Sequence, residues 1–305
     1  MPGVLVTGAS GFLGAHVAAG ALSRGLKVRA GVRSTSDLSR LQRLAPAADP
    51  MVFDLAGPTE QFAAALDGID LVVHCAAYGV DYRQRDFDTG LAANVSASVR
   101  LAEAVAARGA RLIHVGTSYE YGTEDGVLTE DRRLAPVGVY GVTKAAATLA
   151  LQDLARRTGA SLAVVRPFSM YGPLEGEHKF VPLVMAASRS GSPLDLTPGD
   201  QQRDYLYVGD VSDACLDLGS SNDFPSGEVF NLASGSGLRL RDVALAAVHA
   251  AGGDVKVLRW GAKPYRPAES MRVVGDANKI ARAIGWRATT SLVTGMRLTA
   301  AADLC

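Results

Sequence analysis

Cysteine is scarce in this 305-residue chain: Cys75, Cys215 and Cys305 stand far apart. They form no metal-ligand pattern and cannot all pair, so no metal site is expected and a reducing, cytoplasmic setting suits them. Net charge is missing as well, since 31 basic residues balance 31 acidic ones. Nothing therefore points to nucleic acid or to an anionic membrane as partner, although net charge is silent on local basic pockets for phosphates. No apolar run approaches the roughly 20 residues of a membrane span. Met1-Pro-Gly leads straight into a strand pattern, with no secretory leader expected. Internal repeats and low-complexity tracts are lacking too. What remains is an ordinary globular composition, 48% hydrophobic and 20% charged, long enough for two lobes or one large domain.

Short apolar runs rich in Val, Leu and Ile predict strands at 3–7, 27–32, 50–53, 70–74, 111–115 and 161–166. Helical patterns fall between them, near 12–24, 37–44, 59–66, 90–108 and 138–158. Strands buried on both faces and alternating with helices predict an α/β, Rossmann-like, doubly wound parallel sheet. From Pro167 the rhythm breaks into Pro- and Gly-rich loops and a helix near 180–190. The expected division is a dinucleotide-binding domain over 1–166 and a smaller, discontinuous α/β substrate lobe over 167–203 and 235–305. Asp204–Leu218 and Val229–Leu232 read as segments returning to the first domain.

The first strand runs into a glycine-rich turn and a helix, Val4-Leu-Val-Thr-Gly-Ala-Ser-Gly-Phe-Leu-Gly14. Gly8 suits the tight turn, Gly11 leaves room for phosphates, and Gly14 allows close helix–strand packing. The free N–H groups at the helix start face the anion. Gly8, Ser10, Gly11, Phe12, Leu13 and Gly14 are thus candidate contacts to a dinucleotide pyrophosphate; a plain tight turn is the other reading.

Tyr140-Gly-Val-Thr-Lys144 opens the helical stretch 138–158, and a spacing of four puts phenol and ammonium on one face. A nearby cation favours phenolate, so Lys144 is expected to lower the pKa of Tyr140 and make it a general acid/base. Tyr and Lys four apart are otherwise ordinary surface neighbours. Upstream, the strand 111–115 ends in Gly116-Thr117-Ser118-Tyr119-Glu120-Tyr121-Gly122. A hydroxyl at the C-terminal edge of a parallel sheet lies where such folds bind ligands, so Thr117 either orients a carbonyl beside Tyr140 or caps its own loop.

Taken in order, these and later segments carry a resemblance: Asp54-Leu55, His74-Cys-Ala-Ala77, Asn94-Val95, Arg166-Pro-Phe-Ser-Met-Tyr-Gly-Pro173, Lys179-Phe-Val-Pro182, Arg203-Asp-Tyr-Leu-Tyr-Val-Gly-Asp210, Phe230-Asn231 and Arg266-Pro-Ala-Glu269. Over nearly its whole length the chain resembles the extended short-chain dehydrogenases/reductases that act on nucleotide-diphosphate sugars. The resemblance implies a catalytic set of Thr117, Tyr140 and Lys144. It implies adenine contacts at Asp54 and Leu55, with Ala76, Ala77 and Pro167 along the cofactor. Lys179, Arg203 and Arg266 match positions near the substrate diphosphate, a role that two or three cations suit; a surface ion pair is the alternative for each. Asn94 reads as structural.

Two departures narrow the reaction. Where an NAD-preferring site usually places an acid after the second strand, this chain has Arg33 and Ser34, which suit a 2′-phosphate. NADPH is therefore expected in preference to NAD, with Asp37 beginning the next helix. Second, the family's 4,6-dehydratases resemble Thr-Asp-Glu where this chain has Thr117, Ser118 and Tyr119, so the acid and base of water elimination are missing. Glu120 is expected to point away. The resulting expectation is a reductase of the keto group, at C4, of a nucleotide-diphosphate 4-keto-6-deoxyhexose. Tyr78, Asp81, Ser118 and Tyr119 are expected to meet the sugar, with 78–88 overhanging the site or else an exposed loop. Alternatives are a nucleotide-sugar epimerase with tightly bound NAD, a dihydroflavonol-type reductase, and a redox-sensing dinucleotide-binding protein. Alanine- and leucine-rich faces on 90–108 and 138–158 predict a homodimer.

Overall fold

The computed structural model describes residues 3–302 except 59, 82 and 268; Cys305 and the first two residues lie outside the described residues. Seven parallel strands form the main sheet. From one edge to the other they are Val229–Leu232, Leu162–Pro167, Arg111–Val115, Leu71–His74, Gly3–Thr7, Lys27–Val32 and Asp49–Val52. The chain winds outward from Gly3–Thr7 in one direction and then from Leu71–His74 in the other. The switch point therefore lies between these two strands, where such sheets open a binding crevice at their carboxyl ends.

Alternation along each strand supplies both faces with apolar side chains. Val4 and Val6 pack with the helices Phe12–Ser23 and Val208–Ser220, through Val17, Ala18, Val211 and Leu216. Leu5 and Val72 point the opposite way, into a core completed by Phe62, Leu101 and Leu151 from the helices Glu60–Ala65, Ala97–Ala107 and Gly138–Thr158. Residues buried on both faces explain why the strands read as continuous apolar runs.

A smaller sheet orders Gly237–Arg239, Gln202–Tyr207, Arg272–Gly275 and Gly126–Leu128, with Ser169–Tyr171 paired to Gln202–Tyr207. Its core joins Tyr171, Val184, Met185, Val243, Val248 and Met296 from the helices Phe180–Ser190, Leu240–Ala251 and Leu292–Ala302.

Three details depart from the sequence expectations. Gly126–Leu128 lies within 1–166 yet belongs to the smaller sheet, through Arg272–Gly275. Of Asp204–Leu218, the helical part packs on Phe12–Ser23, whereas Asp204–Tyr207 stays in the smaller sheet. The stretch 90–108 is broken: a four-residue helix, Phe87–Gly90, passes through a π turn, Leu91–Ser96, into Ala97–Ala107. Periodicity cannot register that extra residue per turn, and such turns gather at functional sites. Among the described residues, no helix is long and apolar enough to cross a membrane, and no three His, Cys, Asp or Glu are grouped to hold a metal ion.

Candidate active site

The glycine-rich turn is closed by contacts that leave no room for side chains. Gly8 has φ +66°, and a Cβ there would lie 2.7 Å from the Ala76 nitrogen. A Cβ on Gly14 would lie 2.3 Å from the Gly8 carbonyl oxygen, so Gly14 serves closure of the turn itself. A Cβ on Gly11 would meet only that same oxygen, at 3.0 Å, and otherwise open space. Gly11 also caps the helix with no side-chain hydrogen bond, leaving its first N–H groups free for an anion. This open cradle fits a dinucleotide pyrophosphate. Ser10 and Phe12 are half-buried beside it, but the Leu13 side chain lies in the core, so only its backbone can face a ligand.

Arg33 and Ser34 are exposed at the end of Lys27–Val32. The Arg33 backbone N–H donates to Ser36 Oγ at 3.0 Å, and its guanidinium has no partner among the described residues. Asp37 turns to Ser39 at the start of the next helix, accepting from its N–H and its hydroxyl, both at 2.9 Å. A second cation was not singled out from the sequence. Arg40 is half-buried and donates to the Ser10 carbonyl at 3.0 Å and the Leu174 carbonyl at 2.9 Å, tying the glycine turn to the loop after Ser169–Tyr171. Asp54 accepts from Ala56 N–H at 2.9 Å, and the Leu55 and Gly57 carbonyls are held by Arg100. Ala76 and Ala77 leave the end of Leu71–His74, and Pro167 is buried at the end of its strand.

Asn94 stitches two parts of the site together from within the π turn. Its side chain brackets the Tyr78 backbone, with Oδ1 accepting at 2.7 Å and Nδ2 donating at 2.8 Å, and Nδ2 also reaches Thr143 Oγ1 at 2.8 Å. Thr143 belongs to the helix of Tyr140. The chain then passes over Tyr140 so closely that a Cβ on Gly79 (φ +93°) would lie 3.1 Å from the Tyr140 Cβ.

Tyr140 and Lys144 occupy the first turns of Gly138–Thr158. The phenol of Tyr140 lies close enough to the Thr117 side chain for its pKa to feel that hydroxyl, and its ring meets Tyr119 edge-on at 6.0 Å. Burial pushes the phenol up to about 12; the Thr117 hydroxyl opposes this, while Glu120 and Tyr119 add to it. The expected influence of Lys144 on the phenol is not what this geometry provides. Lys144 is buried and turns to His114, donating from Nζ to Nε2 at 3.0 Å. Burial pulls the ammonium down to about 8, against support from Glu120 and Cys75.

Thr117 both contacts Tyr140 and caps its loop, with Oγ1 accepting from Tyr119 N–H at 3.3 Å. Glu120 completes this capping box by accepting from Thr117 N–H at 2.9 Å. Its other oxygen accepts from Arg166 Nε at 2.8 Å, both side chains being buried. Glu120 thus turns away from the crevice into the protein, leaving Ser118 half-buried and Tyr119 65% exposed. His114, Glu120 and Arg166 were not singled out from the sequence as a network; a His within an apolar strand and an Arg ending another were the available signals.

The expected substrate contacts are placed unequally. Tyr78 is half-buried against Asn94, and Asp81 is engaged by Arg83 of its own loop at 2.5 Å, which holds its carboxyl well below the usual range. Lys179 donates to the Val80 carbonyl at 3.4 Å, joining that loop to the smaller lobe. Arg203 is not a free cation: it pairs with Glu269. Arg266 is exposed.

A model of the NAD dependent epimerase/dehydratase family matches residues 4–233. The chain belongs to that family. It is 28% identical over 97% of its length to a trifunctional UDP-glucose 4,6-dehydratase/UDP-4-keto-6-deoxy-D-glucose 3,5-epimerase/UDP-4-keto-L-rhamnose-reductase of Arabidopsis thaliana, of which it spans 46%. It is 29% identical to the dTDP-6-deoxy-L-talose 4-dehydrogenase (NAD(P)(+)) of Kitasatospora kifunensis, covering 96% of this chain and 93% of that protein. Among solved structures it resembles MoeE5 in complex with UDP-glucose and NAD, at 28% identity and a TM-score of 0.84, covering 99% of this chain and 98% of that one. The protein is therefore an enzyme of the NAD dependent epimerase/dehydratase type.

Proposed function

We propose that this enzyme reduces the C4 keto group of a nucleotide-diphosphate 4-keto-6-deoxyhexose, with NADPH preferred over NAD. The observation that carries the reading is the segment after Thr117. Its one carboxylate, Glu120, is locked between Arg166 and the Thr117 N–H, and Ser118 and Tyr119 stand where the dehydratases it resembles carry an acidic pair. That leaves one proton-transferring group beside Thr117, which suits reduction of a carbonyl and not elimination of water.

A bound nicotinamide supplies the hydride. Thr117 orients the carbonyl oxygen through its hydroxyl, and Tyr140 gives that oxygen its phenolic proton. Burial keeps Tyr140 protonated until it is needed. Lys144 holds its ammonium one helical turn from Tyr140, turned to His114 in this structure. Gly8, Gly11 and the helix start cradle the pyrophosphate, and unpartnered Arg33 with Ser34 suits a 2′-phosphate. Lys179 and Arg266, with Arg203 released from Glu269, are the candidate cations for the substrate diphosphate. The relative named for 4-dehydrogenation of dTDP-6-deoxy-L-talose with NAD(P)(+) supports the position and a nicotinamide cofactor, while the preference for NADPH rests on Arg33 and Ser34.

The deciding assay is NADPH oxidation against a panel of such 4-keto sugars, with Tyr140→Phe as control and Michaelis constants for NADPH and NADH. Turnover that needs added NADPH and vanishes in the Phe variant supports the reading. The likeness to the UDP-glucose 4-epimerase of Thermotoga maritima, together with the NAD held by MoeE5, favours a second reading, an epimerase retaining NAD; isomerisation without added cofactor establishes that one. We also propose a homodimer, since Phe87, Leu91, Val137 and Leu149 leave large apolar side chains exposed around the two long helices. Sedimentation of a monomer across micromolar concentrations would overturn it.

A further inference from the structure

We propose that His114 is a positioning residue for Lys144: in its Nδ1–H tautomer it accepts a hydrogen bond from the lysine ammonium and holds that charge one helical turn from Tyr140. The inference deepens the reading of Lys144 as part of the catalytic set. The strand Arg111–Val115 is buried beneath the site, and apolar side chains suit positions like that of His114. A histidine there instead meets Lys144 Nζ at 3.0 Å. A lysine ammonium carries donors only, so with Lys144 charged Nε2 must supply the lone pair and the ring proton must sit on Nδ1.

The second histidine constrains the first. His74 lies with its ring centroid 5.0 Å from that of His114. Ser98 donates its own proton to the Asn94 carbonyl at 2.6 Å, so His74 Nε2 must donate to Ser98 Oγ at 2.9 Å. His74 Nδ1 then accepts from the Thr7 hydroxyl at 2.6 Å. The two rings therefore take opposite tautomers, and His74 has no nitrogen left for Lys144. Among the described residues, His114 alone offers the acceptor, while its Nδ1 is buried without a partner. A buried donor left bare is an expense that packing alone would avoid, whereas it follows directly if Nε2 is reserved for the ammonium.

The groups facing Lys144 are His114, His74, Cys75 and Glu120. Burial, followed by the charge of Lys144, keeps both histidines neutral: His74 is pulled down to about 3 and His114 well below its usual value. One positive charge thus occupies this cluster, and it sits on the lysine. Losing the Nε2 acceptor removes support for the charged form, so the lysine pKa must fall.

The test uses the whole protein in two measurements. Nitrogen-15 spectra of histidine in the unmodified protein at neutral pH should show His114 with a bare Nε2 and a protonated Nδ1, assigned by the signals lost in His114→Gln. A protonated Nε2 on His114 overturns the proposal, even if other variants fail to fold. Lysine NMR titration of Lys144 should show His114→Leu lowering its pKa by about one unit or more. His114→Gln, whose terminal oxygen can accept at the same place, should restore most of it. An unshifted Lys144 in His114→Leu refutes the positioning role. The alkaline limb of kcat/KM should move with the titration; if Lys144 shifts and no 4-keto sugar is reduced, the proposed reaction fails while this role stands.

Discussion

Replacing Glu120 with glutamine perturbs the most deeply buried charge beside the candidate site. Glu120 and Arg166 expose 0% and 3% of their side chains and meet at 2.8 Å. The amide keeps the volume and can still accept from Thr117 N–H, so the change isolates the loss of charge. Stranding one partner of a buried pair costs about 3–5 kcal/mol. Arg166 retains Tyr121 Oη at 3.2 Å and lies 4.9 Å above the Tyr121 ring, so the expected loss is at the lower end, about 3 kcal/mol. At about 2–4 °C per kcal/mol, the melting midpoint should fall by about 6–12 °C. Urea unfolding at neutral pH, followed by fluorescence and circular dichroism, measures it. The double variant Glu120→Gln/Arg166→Met removes both charges and should recover at least half of the loss. A single-variant loss below about 1 kcal/mol, or a double variant less stable than the single, refutes the argument. The same substitution withdraws a negative charge that supports the Lys144 ammonium, so the alkaline limb of activity should also move to lower pH.

Other outcomes follow from the same geometry. Gly11→Ala should stay within about 1 kcal/mol of the parent in stability yet weaken dinucleotide binding at least tenfold, read by fluorescence titration, because its Cβ meets only the Gly8 carbonyl oxygen, at 3.0 Å, and otherwise fills the open cradle. Gly14→Ala should lose both binding and about 1–3 kcal/mol of stability, since its Cβ would stand 2.3 Å from the Gly8 carbonyl oxygen. Glu175 is half-buried, with one carboxylate oxygen buried and unpartnered among the described residues, and desolvation pushes its carboxyl up to about 8, against the pull of Lys179. A folded pKa above the unfolded one contributes stability that is present at low pH and lost as pH rises from about 4.5 to about 8. Glu175→Gln should flatten that slope and gain about 1–3 kcal/mol over the parent above pH 8; unchanged pH–stability curves would contradict it. Tyr78→Ala and Asp81→Ala should alter substrate selectivity more than cofactor affinity, and unchanged values for both would remove that loop from the site.

The sheet, its parallel winding and the glycine cradle were legible in the linear chain because they depend on local rules. Continuous apolar runs mark strands buried on both faces, and glycine at 8, 11 and 14 marks a turn with no space for a Cβ at 8 or 14 and open space at 11. The pairing of Tyr140 with Lys144 on one helical face was legible for the same reason, since spacing of four is a local property. Which way each side chain then turned was a matter of long-range packing. Lys144 found His114, thirty residues upstream, across a strand–helix contact, and Arg203 found Glu269. Glu120 was drawn from the crevice to Arg166 on a neighbouring strand. A buried charge must take whichever partner the fold brings within reach, and sequence spacing holds no record of that distance. The π turn carrying Asn94 and the strand Gly126–Leu128 in the smaller sheet were hidden for a like reason, as both are settled by neighbours far along the chain. The sequence by itself determined a glycine turn suited to phosphate and a Tyr–Lys pair on one helical face; only the tertiary structure decided which charges remain free to act there.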